Sequence, residues 1–463
     1  MSRQSAGPQY TPEQVWPIFA RFLPQGVIDG LLAQVVRRFY RRLFPPLVVL
    51  WGFIYQRLPA DHTGDAFVSY LTSGAAPHLY VPPTDGPAMS ENTAAYVKAR
   101  QRLPLTVAQG ALRHTAQAIT AALGPAGLWQ GRRTALLDGS TVRLTAVEAL
   151  VTHYGLPTGQ HGASHWPRLR TVGAFDLCSG ALLAVAEGPY AETEHTLAIQ
   201  LLRTAPAGLL WVADQLYGIY HLLQVVVACQ QDAVFRVQAS HIGRWIPPAK
   251  LASGSDIDVV WRPSPVDQRE ANLPAGPIAG RLLSVRIAHA GFRPIDIYLF
   301  TTLTDRSVYP ADEIVKLYAR RWGVELNLRH VKTTLAMELL TGKSLDIVRK
   351  EWTLGLVAYN LIRGLMAQAA LRTGLSPLAL SFARCWRRLV ATAQHPLRRP
   401  SGATDEQAGL VLLDRLAACR LPVRTKMRFE PRAVWPQPHQ YPFITDSRTA
   451  ARERSLAKLR QES

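Results

Sequence analysis

The chain has 463 residues, 48% of them hydrophobic, which is enough for two or three domains with a substantial core and excludes general disorder. Lys and Arg number 52 against 33 Asp and Glu, a formal charge of +19 that points to a polyanionic partner, nucleic acid before an acidic membrane surface. The four cysteines are widely separated with no CxxC pair, and the longest apolar run, residues 43–55, is too short for a bilayer and holds Pro45 and Pro46. Neither a disulfide framework, a zinc finger nor a membrane span is therefore expected. With no apolar signal-peptide core near the start, the expectation is a cytoplasmic, nucleoid-associated protein.

Residues 1–125 read as an all-helical region, here expected to bind DNA, with a helix start at Thr11-Pro12-Glu13. A helix over residues 25–40 ends in Arg37, Arg38, Arg41 and Arg42 interleaved with Phe39 and Tyr40, before the breaker Pro45-Pro46. Guanidinium and aromatic groups together suit a phosphate backbone; the plainer reading is a basic helix end favoured by the C-terminal dipole. A second basic helix carries Lys98, Arg100 and Arg102.

From residue 126 the period changes. TALLDGSTVRL reads as a strand whose apolar run ends at Asp138, followed by a second short strand half. A hairpin over 171–187 turns at Ser179-Gly180, a helix over 192–203 follows, and LLWVADQLYG is a buried strand ending in Asp214. A helix over 219–230 and a strand over 233–238 complete a mixed α/β pattern across 126–239. Both aspartates then fall at carboxyl ends of strands, where open α/β sheets place ligands. Residues 240–303 read as an antiparallel β insertion, 304–340 as a helix completing the core, and 341–463 as a helical region with a Pro-rich tail over 422–441.

The helix over 312–335 contains YARRWGVELNLRHVK, in which Tyr318, Arg321, Glu325 and Lys332 follow Y-x2-R-x3-E-x6-K. At about 100° per residue all four fall within an arc of roughly 60°, beside an apolar stripe of Leu317, Val324, Leu328, Val331 and Leu335. Taken alone, such a face is most simply a solvated one with chance ion pairs. Set beside Asp138 and Asp214, Glu325 is expected to complete a trio of convergent carboxylates, suited to two Mg²⁺ ions with Mn²⁺ able to substitute. Arg321 and Lys332 would hold substrate phosphates, and Tyr318 would hydrogen-bond a phosphate or stack on sugar. His195 beside Glu194, and His161 near His165, have no ligand spacing and read as loop or core residues.

These residues resemble the IS-four (insertion sequence) family of bacterial DDE transposases. The resemblance rests on the Tyr318, Arg321, Glu325, Lys332 spacing and on LLDGSTVRL and VADQLYG as its two aspartate blocks. AYVKARQRLP and VRKEWTLGLVAYNLIRGLM are similar to flanking blocks. It implies an RNase H-like α/β catalytic core with an antiparallel β insertion, flanked by all-helical regions, the N-terminal one binding DNA and the C-terminal one pairing two transposase molecules. It further implies Asp138, Asp214 and Glu325 as metal-binding catalytic residues, and an insertion aromatic, here Tyr298, holding an extruded base. Double-stranded DNA, as transposon ends and target, would be the partner. After Asp214 the family usually has Arg-Gly-aromatic, whereas this chain has Gln215-Leu216-Tyr217, so a backbone cation is absent and the aromatic remains. Two other readings stay open: a DNA-binding protein that has lost transposition, and a sequence-nonspecific RNase H-like nuclease.

Overall fold

In the computed structural model, the structure describes residues 19–35, 44–59, 61–74, 76, 79, 90–159, 162–243, 245, 251–269, 276–287, 295–394, 405–422 and 447–462. Arg37, Arg38, Arg41, Arg42 and most of the Pro-rich tail lie outside the described residues.

Five helices come first: α1 (Gln25–Val35), α2 (Pro46–Tyr55), α3 (Gly64–Thr72), α4 (Ala94–Arg102) and α5 (Leu105–Leu123). Pro45-Pro46, expected to act as a breaker, also starts a helix: Pro45 is the N-cap of α2 and Pro46 its first residue, where a missing N–H costs nothing. The Thr63 hydroxyl caps α3 by accepting from Ala66 N at 3.1 Å.

The chain then builds a nine-stranded mixed sheet. In chain order this region holds β1 (Thr134–Leu144), α6 (Glu148–Tyr154), a separate two-stranded sheet of β2 (Thr158–Gly159) and β3 (Gly162–Ala163), β4 (Arg168–Asp176), β5 (Leu182–Pro189), α7 (Glu194–Thr204), β6 (Leu210–Ala213), α8 (Tyr220–Ala228), β7 (Asp232–Val237), α9 (Ala239–Ile242), β8 (Asp256–Trp261), β9 (Ile278–Ile287) and β10 (Ile295–Thr301). The order is β5-β4-β1-β6-β7-β10-β9-β8. β1, β4 and β5 form an antiparallel meander, and β6 and β7 run parallel to β1. The strands of the 240–303 region prolong the same sheet, because β10 pairs antiparallel with β7. Buried Arg281 on β9 is matched there by the Asp256 carboxylate on β8.

Asp138 was expected at a strand end, but β1 is one continuous strand with Asp138 in its middle. The reason is its neighbour: β4 pairs with β1 all the way from Ala135 to Arg143. On the other side β6 pairs only with Thr134, Ala135 and Leu136. The short strand β11 (Leu339–Leu340) joins β1 again at Arg143. Between Leu136 and Arg143 that flank of β1 is open, and Asp138 sits in the gap.

The predicted helix over 312–335 is broken into α10 (Ala311–Ala319), a 3₁₀ turn (Arg320–Trp322), α11 (Gly323–Arg329) and a π turn (His330–Thr334). Gly323, a weak helix former, lies at the first junction. The long helix α12 (Leu345–Arg372) follows, capped by the Ser344 hydroxyl, then α13 (Phe382–Gln394), α14 (Asp405–Ala417) and α15 (Arg448–Glu462). α13 begins only at Phe382, because Pro377 first opens a separate 3₁₀ turn.

Two cores flank the sheet. Leu136, Val142 and Leu144 of β1 join α1, α2, α5, α12 and α14 in one, while Ala135 and Leu137 join α7 and α8 in the other. With side chains alternating along a strand, Asp138 and Ser140 face the α12 side and Gly139 the α7 side. α12 is long and apolar enough to cross a membrane by composition, but 89% of its apolar window is buried inside the protein. Its apolarity is that of a central core helix.

Candidate active site

Asp138 and Ser140 line a cleft of about 430 Å³ whose far wall is formed by Glu325, Leu328, Arg329 and Lys332. The Lys332 ammonium reaches across to the Ser140 hydroxyl at 3.3 Å. The Asp138 carboxylate accepts from Gly139 N at 2.8 Å. Its pKa is pushed up to about 6, chiefly by burial and further by the charges of Asp214 and Glu194, against the Gly139 hydrogen bond and Arg321. Asp214 follows the last residue of β6, and its Oδ1 accepts from Leu216 N at 2.9 Å, a local turn that fixes the carboxylate beside β1.

The four residues of the Y-x2-R-x3-E-x6-K spacing do not share one exposed face. Tyr318 and Arg321 are buried, Glu325 is half-exposed, and only Glu325 and Lys332 line the cleft. The 3₁₀ and π turns on either side of α11 depart from the even 100° rotation assumed for a single helix. Arg321 Nη2 lies 3.5 Å from Glu325 Oε1, and the guanidinium carbon is 4.9 Å from the centre of the exposed Trp322 ring and 6.0 Å from that of Tyr318. Its Nε is buried without a hydrogen-bond partner among the described residues. Burial raises the Tyr318 phenol, which therefore stays protonated as a donor.

The expected convergence of Asp138, Asp214 and Glu325 is met only in part. Among the described residues no three His, Cys, Asp or Glu side chains form a ready metal group. Glu325 is drawn to Arg321, and carboxylates with no cation between them repel.

Behind the cleft the segment bearing Glu325 is anchored to α12. Buried Arg363 donates to Asn327 Oδ1 at 2.6 Å and to the Tyr359 hydroxyl at 2.9 Å, and its Nη2 lies 3.1 Å from His330 Nδ1. The His330 ring stacks on Phe382 at 4.6 Å. Burial and then Arg363 push the His330 pKa down to about 3, so the ring is neutral and accepts from the guanidinium.

The remaining candidates fall elsewhere. Lys98 and Arg102 are exposed on α4, but Arg100 turns inward, with its guanidinium 4.4 Å from the centre of the Phe53 ring, so it is a packing residue more than a free cation. Tyr298 is half-buried on β10 opposite Val237 and Ser284 and does not line the cleft. His195 Nε2 meets the Leu216 carbonyl at 2.7 Å and steadies the loop after Asp214. Its neighbour Glu194, set aside in the sequence for want of ligand spacing, has a carboxylate that accepts from the buried Tyr217 hydroxyl at 3.1 Å on the α7 side of β1. The available signal was Gly139. A Cβ there would fall inside contact distance of the Glu194 carboxylate and 2.9 Å from the Tyr217 oxygen.

One acidic residue within β1 and another just after the parallel strand β6 thus lie on the sheet, faced by a helical segment bearing Glu325 and Lys332. Residues 129–361, half of the chain, match the transposase DDE domain family, from just before β1 into α12. The chain belongs to the DDE transposases, and within them to the IS-four family. It is 28% identical over 366 residues to the transposase InsG for insertion sequence element IS4 of Escherichia coli (strain K12), covering 75% of this chain and 77% of that one. It is also similar to piggyBac transposase, solved by electron cryo-microscopy as a synaptic complex with hairpin DNA, at a TM-score of 0.44 and 10% identity over 92% of this chain and 90% of the other.

Proposed function

We propose that this transposase binds the terminal inverted repeats of its own element as double-stranded DNA, hydrolyses a strand at each end to free a 3′-hydroxyl, and joins that hydroxyl to target DNA. The observation that carries this is the placement of Asp138, Glu325 and Lys332 on one cleft at the open flank of β1, with Asp214 on the next strand. The order β5-β4-β1-β6-β7, antiparallel and then parallel, is consistent with an RNase H-like core.

The donor set is made of carboxylate oxygens, and the Asp138 carboxyl is raised chiefly by burial and further by the charge of Asp214; an oxygen donor set of this kind fits a hard divalent cation. Asp138, Asp214 and Glu325 would hold Mg²⁺, two ions in the full site, with Mn²⁺ as a substitute. Such ions would activate the attacking oxygen and stabilise the leaving one. The chain's own groups position the DNA strand. Lys332, held near Ser140, neutralises a phosphate at the cleft wall. Arg321, with its free Nε, holds Glu325 at the cleft edge and supplies charge beneath the strand. The exposed Lys98 and Arg102 of the N-terminal region contribute to the hold on transposon ends, and two transposase molecules pair on DNA through the C-terminal helices.

The test is cleavage of a DNA duplex bearing one transposon end, with Mg²⁺. Asp138→Ala, Asp214→Ala and Glu325→Ala are expected to bind this DNA as the wild type does while losing at least about 1000-fold in cutting, a barrier increase of roughly 4 kcal/mol. Retained cutting in any of the three overturns the assignment. Equal cutting of DNA with and without the inverted repeats indicates a nonspecific nuclease instead.

A further inference from the structure

We propose that Arg143, Arg168 and Arg170, on the α7 face of β1 and β4, seat the phosphate backbone of the target duplex, the second DNA that strand joining requires. The inference rests on the transposase reading above and deepens it by giving the target a surface of its own.

The row follows from strand register. Arg143 lies directly opposite Arg168, and Thr141 directly opposite Arg170. Opposite residues of an antiparallel pair point to one face, and alternation from Val172 and Ala174, which pack in the α7 core, puts all three arginines on that face. Like charges directly opposite weaken a sheet, so strand pairing does not account for Arg143 facing Arg168. Nearby acids answer little of this charge. Glu338 meets Arg143 at 3.2 Å, but both side chains are about half-exposed and the pair is screened by solvent. Glu192, whose carboxylate lies against Gly188 opposite Arg170 on β5, accepts from Gln200 Nε2 at 2.8 Å instead. Among the described residues the side chains of half-buried Arg168 and Arg170 form no hydrogen bond or ion pair, and the Nε of each is buried without an acceptor. The Arg170 guanidinium carbon rests 4.6 Å from the centre of the Tyr190 ring, which holds the cation in place before anything binds.

The position of the row selects the DNA. It starts at the rim of the cleft, because Glu338, the partner of Arg143, lines that cleft with Asp138 and Ser140. From Asp138 to Arg143 the strand runs about 17 Å at roughly 3.4 Å per residue, the length of about five base pairs of duplex. The N-terminal helices lie on the other face of the sheet, in the core with α12, and α4 is tied there by the Lys350 ammonium, which donates to the Gln101 carbonyl at 3.0 Å. A transposon end held by Lys98 and Arg102 of α4 therefore enters the cleft from the α12 side and does not meet the row. A second duplex that reaches the same cleft from the α7 side crosses it. Its phosphate oxygens supply the acceptors that Arg168 and Arg170 lack.

The test uses full-length protein saturated with a pre-cut transposon-end duplex, and a labelled duplex lacking the inverted repeats as target. Without metal, capture of the labelled duplex should fall at least about tenfold in the double variant Arg168→Gln/Arg170→Gln, and the slope of log affinity against log salt should drop by about 2. Arg168→Lys/Arg170→Lys, which keeps the charge, should retain most of the capture. Arg143→Gln, at an exposed position that folding does not depend on, should lose about threefold. With Mg²⁺, joining of the pre-cut end to the labelled duplex should fall in step with capture, while affinity for the end DNA stays within about twofold of wild type. A merely structural role would lower both DNA affinities and the melting temperature together; the Gln variants, relieved of the Arg143–Arg168 repulsion, should melt no lower than wild type. Capture within about twofold of wild type in both the double variant and Arg143→Gln overturns the proposal. So does an equal loss of end-DNA affinity, which would assign the row to the transposon end. If wild type captures the second duplex and the Gln variants do not, yet no protein joins the two DNAs, the arginine row stands and the joining reaction alone falls.

Discussion

Replacing Asp138 by Asn removes a carboxylate that the fold holds against its preference. Its pKa rises from 3.8 to about 6 in the folded protein, so ionised Asp138 opposes folding, and the neutral amide does not. A shift of about 2 units corresponds to roughly 3 kcal/mol. Below pH 3.8 both states are protonated and the cost is absent; it grows as pH rises through 6 and is complete above that. Asn keeps the oxygen that accepts from Gly139 N, so little else changes. In EDTA, urea unfolding at pH 8 should show Asp138→Asn more stable than wild type by about 3 kcal/mol, and at pH 4 the two should nearly coincide. Added Mg²⁺ should narrow the gap at pH 8 by stabilising wild type alone. A gap independent of pH, or a variant less stable at pH 8, would refute the account of the Asp138 environment.

Other measurements bear on the anchor and on the charge. His330 is held near pKa 3 against 6.5 when free, so the unfolded chain gains a proton first and stability falls as pH drops below 6.5. Between pH 7 and pH 4 this amounts to about 3 kcal/mol, and His330→Gln should flatten that part of a stability–pH curve; an unchanged slope counts against it. Arg363→Met would strand Asn327 Oδ1 and His330 Nδ1 in the interior and should destabilise by about 2–5 kcal/mol, slowing DNA cleavage more than it weakens DNA binding. Full retention of stability would show that those acceptors find water. Affinity for end DNA should fall about 1000-fold or more between 50 and 200 mM salt if six or more of the excess cations meet phosphates. A flat profile in a filter-binding or anisotropy titration would remove DNA as the reason for the +19 charge.

Local patterns made much of the catalytic region legible. The apolar runs of β4, β6 and β7 and the long apolar stretch of α12 announce themselves because composition and length settle them within a few residues. The family followed from Tyr318, Arg321, Glu325 and Lys332, whose spacing survives even though their geometry does not. What sequence could not carry was tertiary. The even rotation assumed for residues 312–335 failed at Gly323 and at the π turn, so Tyr318 and Arg321 lie buried beneath the cleft wall and not on its surface. Asp138 looked terminal because its apolar run stops there, yet β4 carries the strand on. Arg100 looked like a phosphate contact until Phe53 took its guanidinium. Glu194, weighed beside His195, offered no ligand spacing, because its contact with Gly139 belongs to the folded chain and not to the sequence.

The place of α12 has a consequence for how this protein comes into being. It packs against the N-terminal helices α2, α4 and α5, the sheet strand β5, the π turn and the C-terminal helices α13 and α14. Yet it begins only at Leu345, after every residue of the site has been made. On the ribosome, at about 5–20 residues per second, the N-terminal helices wait about 10–50 seconds and the sheet about 4–14 seconds with one apolar face uncovered. The core therefore closes only late in synthesis. A chain that stops short of α12 leaves that apolar face uncovered, a core open to chaperones and proteases.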